Sequence, residues 1–142
     1  MIKVGDFMTR DLVTVKETDD LALAESILRL GGIRHLPVVR DGRLAGLLTQ
    51  RDLLRAGASG VAARAVSAGD VMTHDPTTVA PDSSLAVAAR LMLRHKFGCL
   101  PVCEPDGRLV GIVTESDFVR FAADVVHDLD VVQEAVVAPR EV

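Results

Sequence analysis

Aromatic residues are scarce in this chain of 142 residues, which contains four Phe and no Trp or Tyr. Single-stranded nucleic acids are held by stacking on aromatic side chains, and duplexes require a surplus of basic residues. The net charge is −4, and residues 1–120 are balanced, with 15 acidic and 15 basic side chains. Residues 121–142 are acidic, with five acidic side chains and one basic. The composition therefore argues against a nucleic-acid partner.

Long apolar segments are also missing. No run of 18 apolar residues occurs, and the opening MIKVGDFMTRD lacks the apolar stretch of a signal peptide. We therefore expect a cytoplasmic protein without a membrane partner.

The two cysteines, Cys99 and Cys103, exclude a disulfide between them. They stand four residues apart in a predicted strand, about 13 Å from each other, which is too far for a bridge. With the nearby His95 they offer three ligands that do not converge on one tetrahedral centre, so we expect no metal site.

Catalytic motifs are absent too. The sequence has no G-x-x-x-x-G-K-[ST] loop, no G-x-S-x-G elbow and no H-E-x-x-H helix, and no pattern sets a nucleophile beside a base. We therefore expect a protein that is not an enzyme and requires no cofactor.

A tandem repeat is the strongest positive feature. Residues 4–55 recur 64 positions later as residues 68–120, with one extra residue in a turn and 21 identities in 52 aligned positions. The identities cluster in Gly-Asp-x-Met-Thr-x-Asp, Leu-Pro-Val and Asp-Gly-Arg-Leu-x-Gly-x-x-Thr-x-x-Asp. Because 49% of the residues are apolar, the chain can bury a core. Two such units can pack face to face and form clefts between them.

Each repeat predicts an α+β unit with the order β-α-β-β-α. In the first repeat, Thr18 or Asp19 is expected to cap a helix that Gly31-Gly32 ends. Asp41-Gly42 is a pair typical of a two-residue hairpin turn. The predicted strands of this repeat cover residues 13–15, 35–39 and 43–48.

The same patterns predict the organisation of the chain. We expect a first unit over residues 1–56, a linker over 57–67, a second unit over 68–121 and a C-terminal helical extension and tail over 122–142. In the extension, apolar residues recur at intervals of three and four: Phe118, Ala122, Val125, Leu129, Val132 and Val136. This stripe is expected either to pack on its own domain or to contact another subunit.

The motif Gly-h-h-Thr-x-x-Asp, where h is apolar, occurs at residues 46–52 and 111–117. The junction of a strand and a helix exposes free N–H groups that suit a phosphate, and a carboxylate one turn later suits the hydroxyls of a ribose. The glycine would let a ligand approach the backbone. The competing interpretation is helix capping alone, in which Thr and Asp form a variant of the capping box.

Taken together, these motifs resemble a pair of cystathionine-β-synthase (CBS) domains, often called a Bateman module, over residues 4–120. The resemblance implies two β-α-β-β-α units related by a pseudo-twofold axis, with an extended C-terminal helix here. It further implies two clefts that bind adenosyl ligands such as AMP, ADP, ATP or S-adenosylmethionine for regulation. The family's binding positions match Thr14, Val15, Arg34, His35, Leu36, Pro37, Thr49, Arg51, Asp52, Thr78, Val79, Gly98, Cys99, Leu100, Pro101, Thr114 and Asp117.

The two repeats depart from each other at the basic positions of this pattern. Arg34-His35 corresponds to Gly98-Cys99, and Arg51 corresponds to Ser116. We therefore expect the cleft of Thr49 and Asp52 to take the phosphorylated ligand.

The prediction as a whole is a stand-alone regulatory sensor that forms a homodimer and acts through an unidentified effector protein. The alternative is a dimeric scaffold whose clefts hold no ligand.

Overall fold

The computed structural model describes residues 1–137, and the last five residues of the predicted tail lie outside them. Two repeats pack against each other, each with a one-turn helix followed by the order β-α-β-β-α, and the predicted α+β class is confirmed. The elements are α1 Val4–Phe7, β1 Val15–Lys16, α2 Leu21–Gly31, β2 His35–Arg40, β3 Arg43–Thr49, α3 Gln50–Ala58, α4 Ala68–Val71, β4 Thr73–His74, α5 Leu85–His95, β5 Cys99–Cys103, β6 Leu109–Thr114 and α6 Glu115–Val137.

The start of α2 differs from the prediction by one or two residues. Asp20 is the N-cap, and its Oδ1 accepts a hydrogen bond of 2.8 Å from the N–H of Leu23. The prediction of Thr18 or Asp19 was wrong, because the Asp19 carboxylate is used one turn earlier, where it accepts from the N–H of Lys16 at 2.8 Å. The helix ends as expected at a left-handed residue, Gly32, with φ 61°.

The turn between β2 and β3 has the conformation that its residues predict. Asp41 and Gly42 both have positive φ, 51° and 77°, as a two-residue turn between β2 and β3 requires. β1 lies parallel to β2, with Val15 opposite Val38. The first strand expected in the second repeat is reduced to a single parallel bridge between Val79 and Val102.

The first residues of each repeat, 4–13 and 68–77, are called its lead-in segment and pair with the other repeat. β4, in the lead-in segment of the second repeat, lies antiparallel to β3 of the first. Reciprocally, Thr9 exchanges backbone hydrogen bonds of 2.9 and 3.0 Å with Ile112 of β6. The two repeats are therefore joined by backbone hydrogen bonds on both sides of the pseudo-twofold axis.

The hydrophobic cores show the same exchange. Val4 and Met8, from the start of the chain, are buried in the core of the second repeat, whereas Ala68 and Met72 are buried in the core of the first. A small third cluster of Leu47, Cys99 and Ile112 lies where the hairpins of the two repeats meet.

This exchange explains the glycines of the repeated motif. A Cβ at Gly46 would lie 2.5 Å from the Met72 sulfur and 2.6 Å from the Thr73 carbonyl oxygen, and Met8 occupies the equivalent space at Gly111. The expectation that these glycines admit a ligand is therefore wrong. They admit the lead-in segment of the other repeat.

The predicted linker is docked on α2. The N–H groups of Leu21 and Ala22 donate to the carbonyls of Val66 and Ala63, at 2.8 and 3.2 Å. Gly57 and Ala58, at the start of the predicted linker, belong to α3. The domain boundaries themselves remain predictions.

The C-terminal helix α6 runs unbroken from Glu115 to Val137 and has no buried residue. Phe118 is partly buried against the second core, with its ring centroid 5.0 Å from that of Phe7. Further along, Val125, Leu129, Val132 and Val136 are 40–79% exposed. Beyond its first turns, the stripe does not pack on its own domain.

Candidate functional site

The N-terminus of α3 is organised by a reciprocal cap between Thr49 and Asp52. The N–H of Thr49 donates to Asp52 Oδ2 at 2.9 Å, and the N–H of Asp52 donates to Thr49 Oγ1 at 3.3 Å. The predicted capping box is confirmed. Such a cap is worth about 1 kcal/mol, so capping alone accounts for the spacing of the two residues.

Capping does not account for all the contacts of Asp52. Its side chain is buried, with 4% exposure, and the Thr73 hydroxyl donates to both carboxylate oxygens at 3.2 Å. The Arg55 guanidinium lies 4.0 Å from Oδ1. Thr73 belongs to β4, so the carboxylate of the first repeat is held by the lead-in segment of the second.

The cap of α6 is similar but more open. The N–H of Thr114 donates to Asp117 Oδ2 at 2.8 Å, and the N–H of Asp117 donates to Thr114 Oγ1 at 3.3 Å. The Asp117 side chain is 12% exposed and pairs with Arg120 at 3.4 Å. The two equivalent carboxylates therefore have different partners.

Each of these caps adjoins a cleft between the repeats. The Asp52 cleft has a volume of about 500 Å³, and its lining includes Thr49, Arg51, Asp52, Thr73, Thr77 and Cys99. The Thr114 cleft has a volume of about 480 Å³, and its lining includes Thr9, Leu12, Val13, Pro37, Thr114 and Ser116. The two clefts share a wall made of Arg34, His35, Gly98 and Glu115.

The charge of the two clefts differs, in the direction that the sequence predicts. The Asp52 cleft has two carboxylates, Asp52 and Glu115, and four permanent cations, Arg34, Arg51, Arg55 and Lys96. The Thr114 cleft balances two cations, Arg34 and Arg120, against two carboxylates, Asp11 and Glu115. An anionic ligand is therefore favoured at the Asp52 cleft.

His35 lies in the shared wall against the backbone of Gly98. Burial lowers the pKa of its imidazole, the Glu115 carboxylate opposes that shift by raising the pKa, and Arg34 lowers it further. The neutral ring is thus favoured when no anion is bound.

The structure brings together only part of the predicted site. Nine predicted residues line one or both clefts: Arg34, His35, Pro37, Thr49, Arg51, Asp52, Gly98, Cys99 and Thr114. Eight line neither: Thr14, Val15, Leu36, Thr78, Val79, Leu100, Pro101 and Asp117. Thr78 and Val79 instead line a separate cavity of about 650 Å³.

The reason lies in the pairing of the strands. β1 lies against β2 with Val15 in the core, so Val15 does not reach a cleft, whereas Val13, at the start of the predicted strand, lines the Thr114 cleft. The lead-in segments occupy the other side of each hairpin and supply the missing wall. The lining residues that sequence reasoning missed include the polar side chains of Thr9, Asp11, Arg55, Thr73, Thr77, Lys96, Glu115 and Arg120. The repeated Met-Thr of the lead-in was the available signal for Thr9 and Thr73.

The cysteines lie beside this region as free thiols. Burial raises the pKa of the Cys99 thiol to about 12 and raises that of Cys103 less strongly. Within residues 1–137, no group of three His, Cys, Asp or Glu side chains is arranged to hold a metal ion. No helix in that part of the chain combines the length and apolarity needed to cross a membrane.

Two β-α-β-β-α repeats about a pseudo-twofold axis, with one cleft at each strand-to-helix junction, define a class of tandem-repeat α+β modules. The sequence model described as the CBS domain matches residues 4–59 and again residues 68–124. The chain therefore belongs to the CBS domain family and carries a pair of these domains.

Curated relatives with this region are longer proteins. The chain is 36% identical over 115 residues to inosine-5'-monophosphate dehydrogenase of Korarchaeum cryptofilum, covering 81% of this chain and 23% of the enzyme. It is 34% identical over 119 residues to homoserine O-acetyltransferase of Methanococcoides burtonii, covering 83% of this chain and 24% of that enzyme. The chain thus spans about a quarter of the length of these two enzymes.

Three solved structures match this chain over nearly their whole length. A putative acetoin utilization protein (AcuB) from Vibrio cholerae superposes with a TM-score of 0.83 at 41% identity, covering 92% of this chain and 96% of that one. CBSX2 from Arabidopsis thaliana, in complex with AMP, gives a TM-score of 0.80 at 35% identity over 88% and 98% of the two chains. The CBS domain pair of MJ0100, in complex with 5'-methylthioadenosine and S-adenosyl-L-methionine, gives 0.78 at 27% identity over 87% and 98%.

Proposed function

We propose that this chain is a regulatory module without catalytic activity that binds an adenosyl ligand between its repeats. The observation that carries the proposal is the Asp52 cleft, where a buried carboxylate faces a cavity with an excess of cations. The adenosyl ligands bound by the similar structures CBSX2 and MJ0100 support this choice of ligand class.

In the proposed complex, Asp52 accepts hydrogen bonds from the two ribose hydroxyls. Thr73 now donates to both oxygens of this carboxylate, so the ligand takes over bonds that a protein hydroxyl makes in the free state. Exchanging one hydroxyl donor for another leaves the carboxylate paired and is nearly neutral in free energy. Thr73 lies in β4, where it pairs with Leu47 of β3. Ligand binding would therefore be accompanied by a movement of the Thr73 side chain away from Asp52.

The phosphate of the ligand would lie toward Arg34 and Arg51. Both guanidiniums line the Asp52 cleft, and Arg51 stands in the first turn of α3, where the helix dipole disfavours a cation unless an anion is present. We propose that the Thr114 cleft, whose charges balance, takes an adenosyl group with an uncharged tail or stays empty.

The test is a thermal-shift and calorimetry panel with AMP, ADP, ATP, S-adenosylmethionine, NAD and GTP. A ligand at about 100 times its dissociation constant adds roughly 2.7 kcal/mol to the free energy of unfolding. Asp52→Ala should remove the response to the adenosyl ligand that stabilises the wild type.

A matched control is available at α4. Asp70 forms the same reciprocal cap with Ser67, away from both clefts. Asp70→Ala should destabilise the protein without changing ligand affinity. If Asp52→Ala and Asp70→Ala both only lower stability and leave the ligand response unchanged, Asp52 is a cap and the proposed site is wrong.

The exposed stripe of α6 favours a second candidate, a dimeric scaffold. Its large apolar side chains between residues 123 and 137 are 40–79% exposed, as an interface between copies would require. A flat ligand panel with a dimeric solution mass would favour this scaffold. In either case the homodimer, the cytoplasmic location and the effector protein are part of the proposal.

A further inference from the structure

One wall lies between the two clefts and belongs to both. Arg34 and His35 of this wall come from the first repeat, and Gly98 and Glu115 come from the second. The wall is thin, because the imidazole of His35 lies directly against the backbone of Gly98. The N–H of Glu115 donates to the carbonyl of Gly98 at 3.1 Å, which holds the start of α6 in the same wall. A charge in this wall therefore acts on both clefts.

The wall has a single permanent cation for the two clefts. Arg34 of the first repeat aligns with Gly98 of the second, so the second repeat supplies no equivalent arginine. The Arg34 side chain is exposed, and no carboxylate within residues 1–137 lies within 4.0 Å of its guanidinium. One guanidinium brings one positive charge, so two anions that both lie against Arg34 must share that charge.

The Asp52 cleft has positive charge of its own. Three cations line this cleft and not the other, namely Arg51, Arg55 and Lys96, and Asp52 is the one carboxylate that lines it alone. These four side chains have a net charge of +2. The Asp52 cleft therefore attracts an anion even without Arg34.

The Thr114 cleft has no such excess. The charged residues that line it alone are one cation, Arg120, and one carboxylate, Asp11. The Arg120 guanidinium is already 3.4 Å from the carboxylate of Asp117. Among the cations that line this cleft in the described part of the chain, Arg34 alone has no carboxylate within 4.0 Å. An anion in the Thr114 cleft therefore depends on Arg34.

The state of one cleft thus changes the charge of the other. When an anion in the Asp52 cleft engages Arg34, the Thr114 cleft keeps one cation, Arg120, and two carboxylates, Asp11 and Glu115. Its net charge is then −1, which repels a second anion and leaves an uncharged ligand unaffected.

We propose that Arg34 couples the two clefts, so that an anionic ligand in the Asp52 cleft weakens the binding of a second anion in the Thr114 cleft. The filled module then takes a second adenosyl ligand only if its tail is uncharged. This inference rests on the proposed function, because it describes how occupancy of one ligand site regulates the other.

The experiment isolates the Thr114 cleft with a block that changes no charge. Thr77 is exposed and lines the Asp52 cleft but not the Thr114 cleft. In Thr77→Trp, the indole fills part of the Asp52 cleft, so a ligand binds only in the Thr114 cleft. Calorimetry at pH 8, where His35 is neutral, measures the affinities for AMP and for its uncharged counterpart adenosine at one ionic strength.

The Thr114 cleft should bind AMP about tenfold more tightly in Thr77→Trp than it binds the second AMP in the wild type. Tenfold is the scale of one hydrogen bond to a charged group. Adenosine affinity for this cleft should be the same in the two proteins. Arg34→Gln should weaken AMP binding in the Thr77→Trp background and bring the two AMP constants to within about twofold, because direct repulsion between the ligands is screened by salt.

Arg120→Gln is the matched control. It removes the same charge from the Thr114 cleft, but Arg120 does not line the Asp52 cleft. It should weaken AMP binding equally in the wild type and in Thr77→Trp, so that their ratio stays at about tenfold.

Equal AMP constants for the Thr114 cleft in the wild type and in Thr77→Trp would overturn the inference and leave the proposed function intact. A tenfold ratio that persists in Arg34→Gln would do the same. So would a Thr77→Trp protein that binds adenosine but not AMP, or neither of them, while the wild type binds AMP. A wild type that binds no adenosyl compound of the panel would instead overturn the proposed function, and the inference with it.

Discussion

The imidazole of His35 fills the space above the α-carbon of Gly98. A Cβ added at Gly98 would lie 2.6 Å from His35 Nε2, closer than two atoms of these types approach. Gly98 therefore fixes the position of the basic ring in the wall between the clefts.

Gly98→Ala should displace His35 and destabilise the protein by about 1–3 kcal/mol, the usual effect of overpacking. Urea denaturation measures the change. Gly57→Ala is the control, since a Cβ at Gly57, in α3, meets no atom within 4 Å. That control should stabilise the protein by about 0.4–1 kcal/mol. Equal stability of Gly98→Ala and the wild type would contradict the proposed packing.

The lowered pKa of His35 predicts a pH-dependent stability. The unfolded chain binds a proton near the ordinary value of 6.5, whereas the folded protein binds it only at lower pH because the ring is buried. The free energy of unfolding contributed by His35 is therefore constant above about pH 7.5 and falls as the pH drops through 6.5 toward the folded pKa. The stability of His35→Gln, measured by urea denaturation between pH 5 and 8, should change less across this window. His127→Gln, on exposed α6, is the control, and a curve flattened equally by both changes would refute the assignment.

The buried thiol of Cys99 should resist alkylation. With its pKa raised to about 12, almost no thiolate exists at pH 8, and the side chain is only 6% exposed. In a Cys103→Ser variant, iodoacetamide should modify Cys99 slowly in the native protein and rapidly in denaturant. Mass spectrometry follows the reaction, and fast native labelling would show that Cys99 is accessible.

The stripe on α6 predicts the behaviour of the protein in solution. If it forms the homodimer contact, Leu129→Glu should raise the dimer dissociation constant by about tenfold or more, because burying a Leu side chain contributes roughly 1.5–3 kcal/mol. Analytical ultracentrifugation measures this constant. Val131→Glu, an exposed position on the face of α6 away from the stripe, should leave it unchanged. Equal effects of the two changes would exclude a contact through the stripe.

Local features of the fold were predictable from the sequence. The Asp41-Gly42 turn, the left-handed end of α2 and the cap of Asp52 on Thr49 each depend on residues within a few positions of one another. The charge difference between the clefts was visible in part, since Arg51 of the Asp52 cleft aligns with Ser116 of the Thr114 cleft. Arg34, which aligns with Gly98, lines both clefts and does not distinguish them.

The walls of the clefts were not predictable in the same way. Thr73 reaches Asp52 across 21 positions of sequence, through a strand of two residues that has no pattern of its own. Lys96 reaches the Asp52 cleft from the repeat opposite to Asp52. The positions of Thr73 and Lys96 depend on how one repeat packs against the other. The periodicity of apolar residues within a strand or helix does not predict this packing.

The exchange of lead-in segments couples the stability of the two repeats. Because Val4 and Met8 complete the core of one repeat and Ala68 and Met72 complete that of the other, neither half has a full interior by itself. The two halves should melt in a single cooperative transition. A ligand bound in either cleft would then stabilise both halves against unfolding, and the start of α6 belongs to the same unit because Phe118 packs on Phe7.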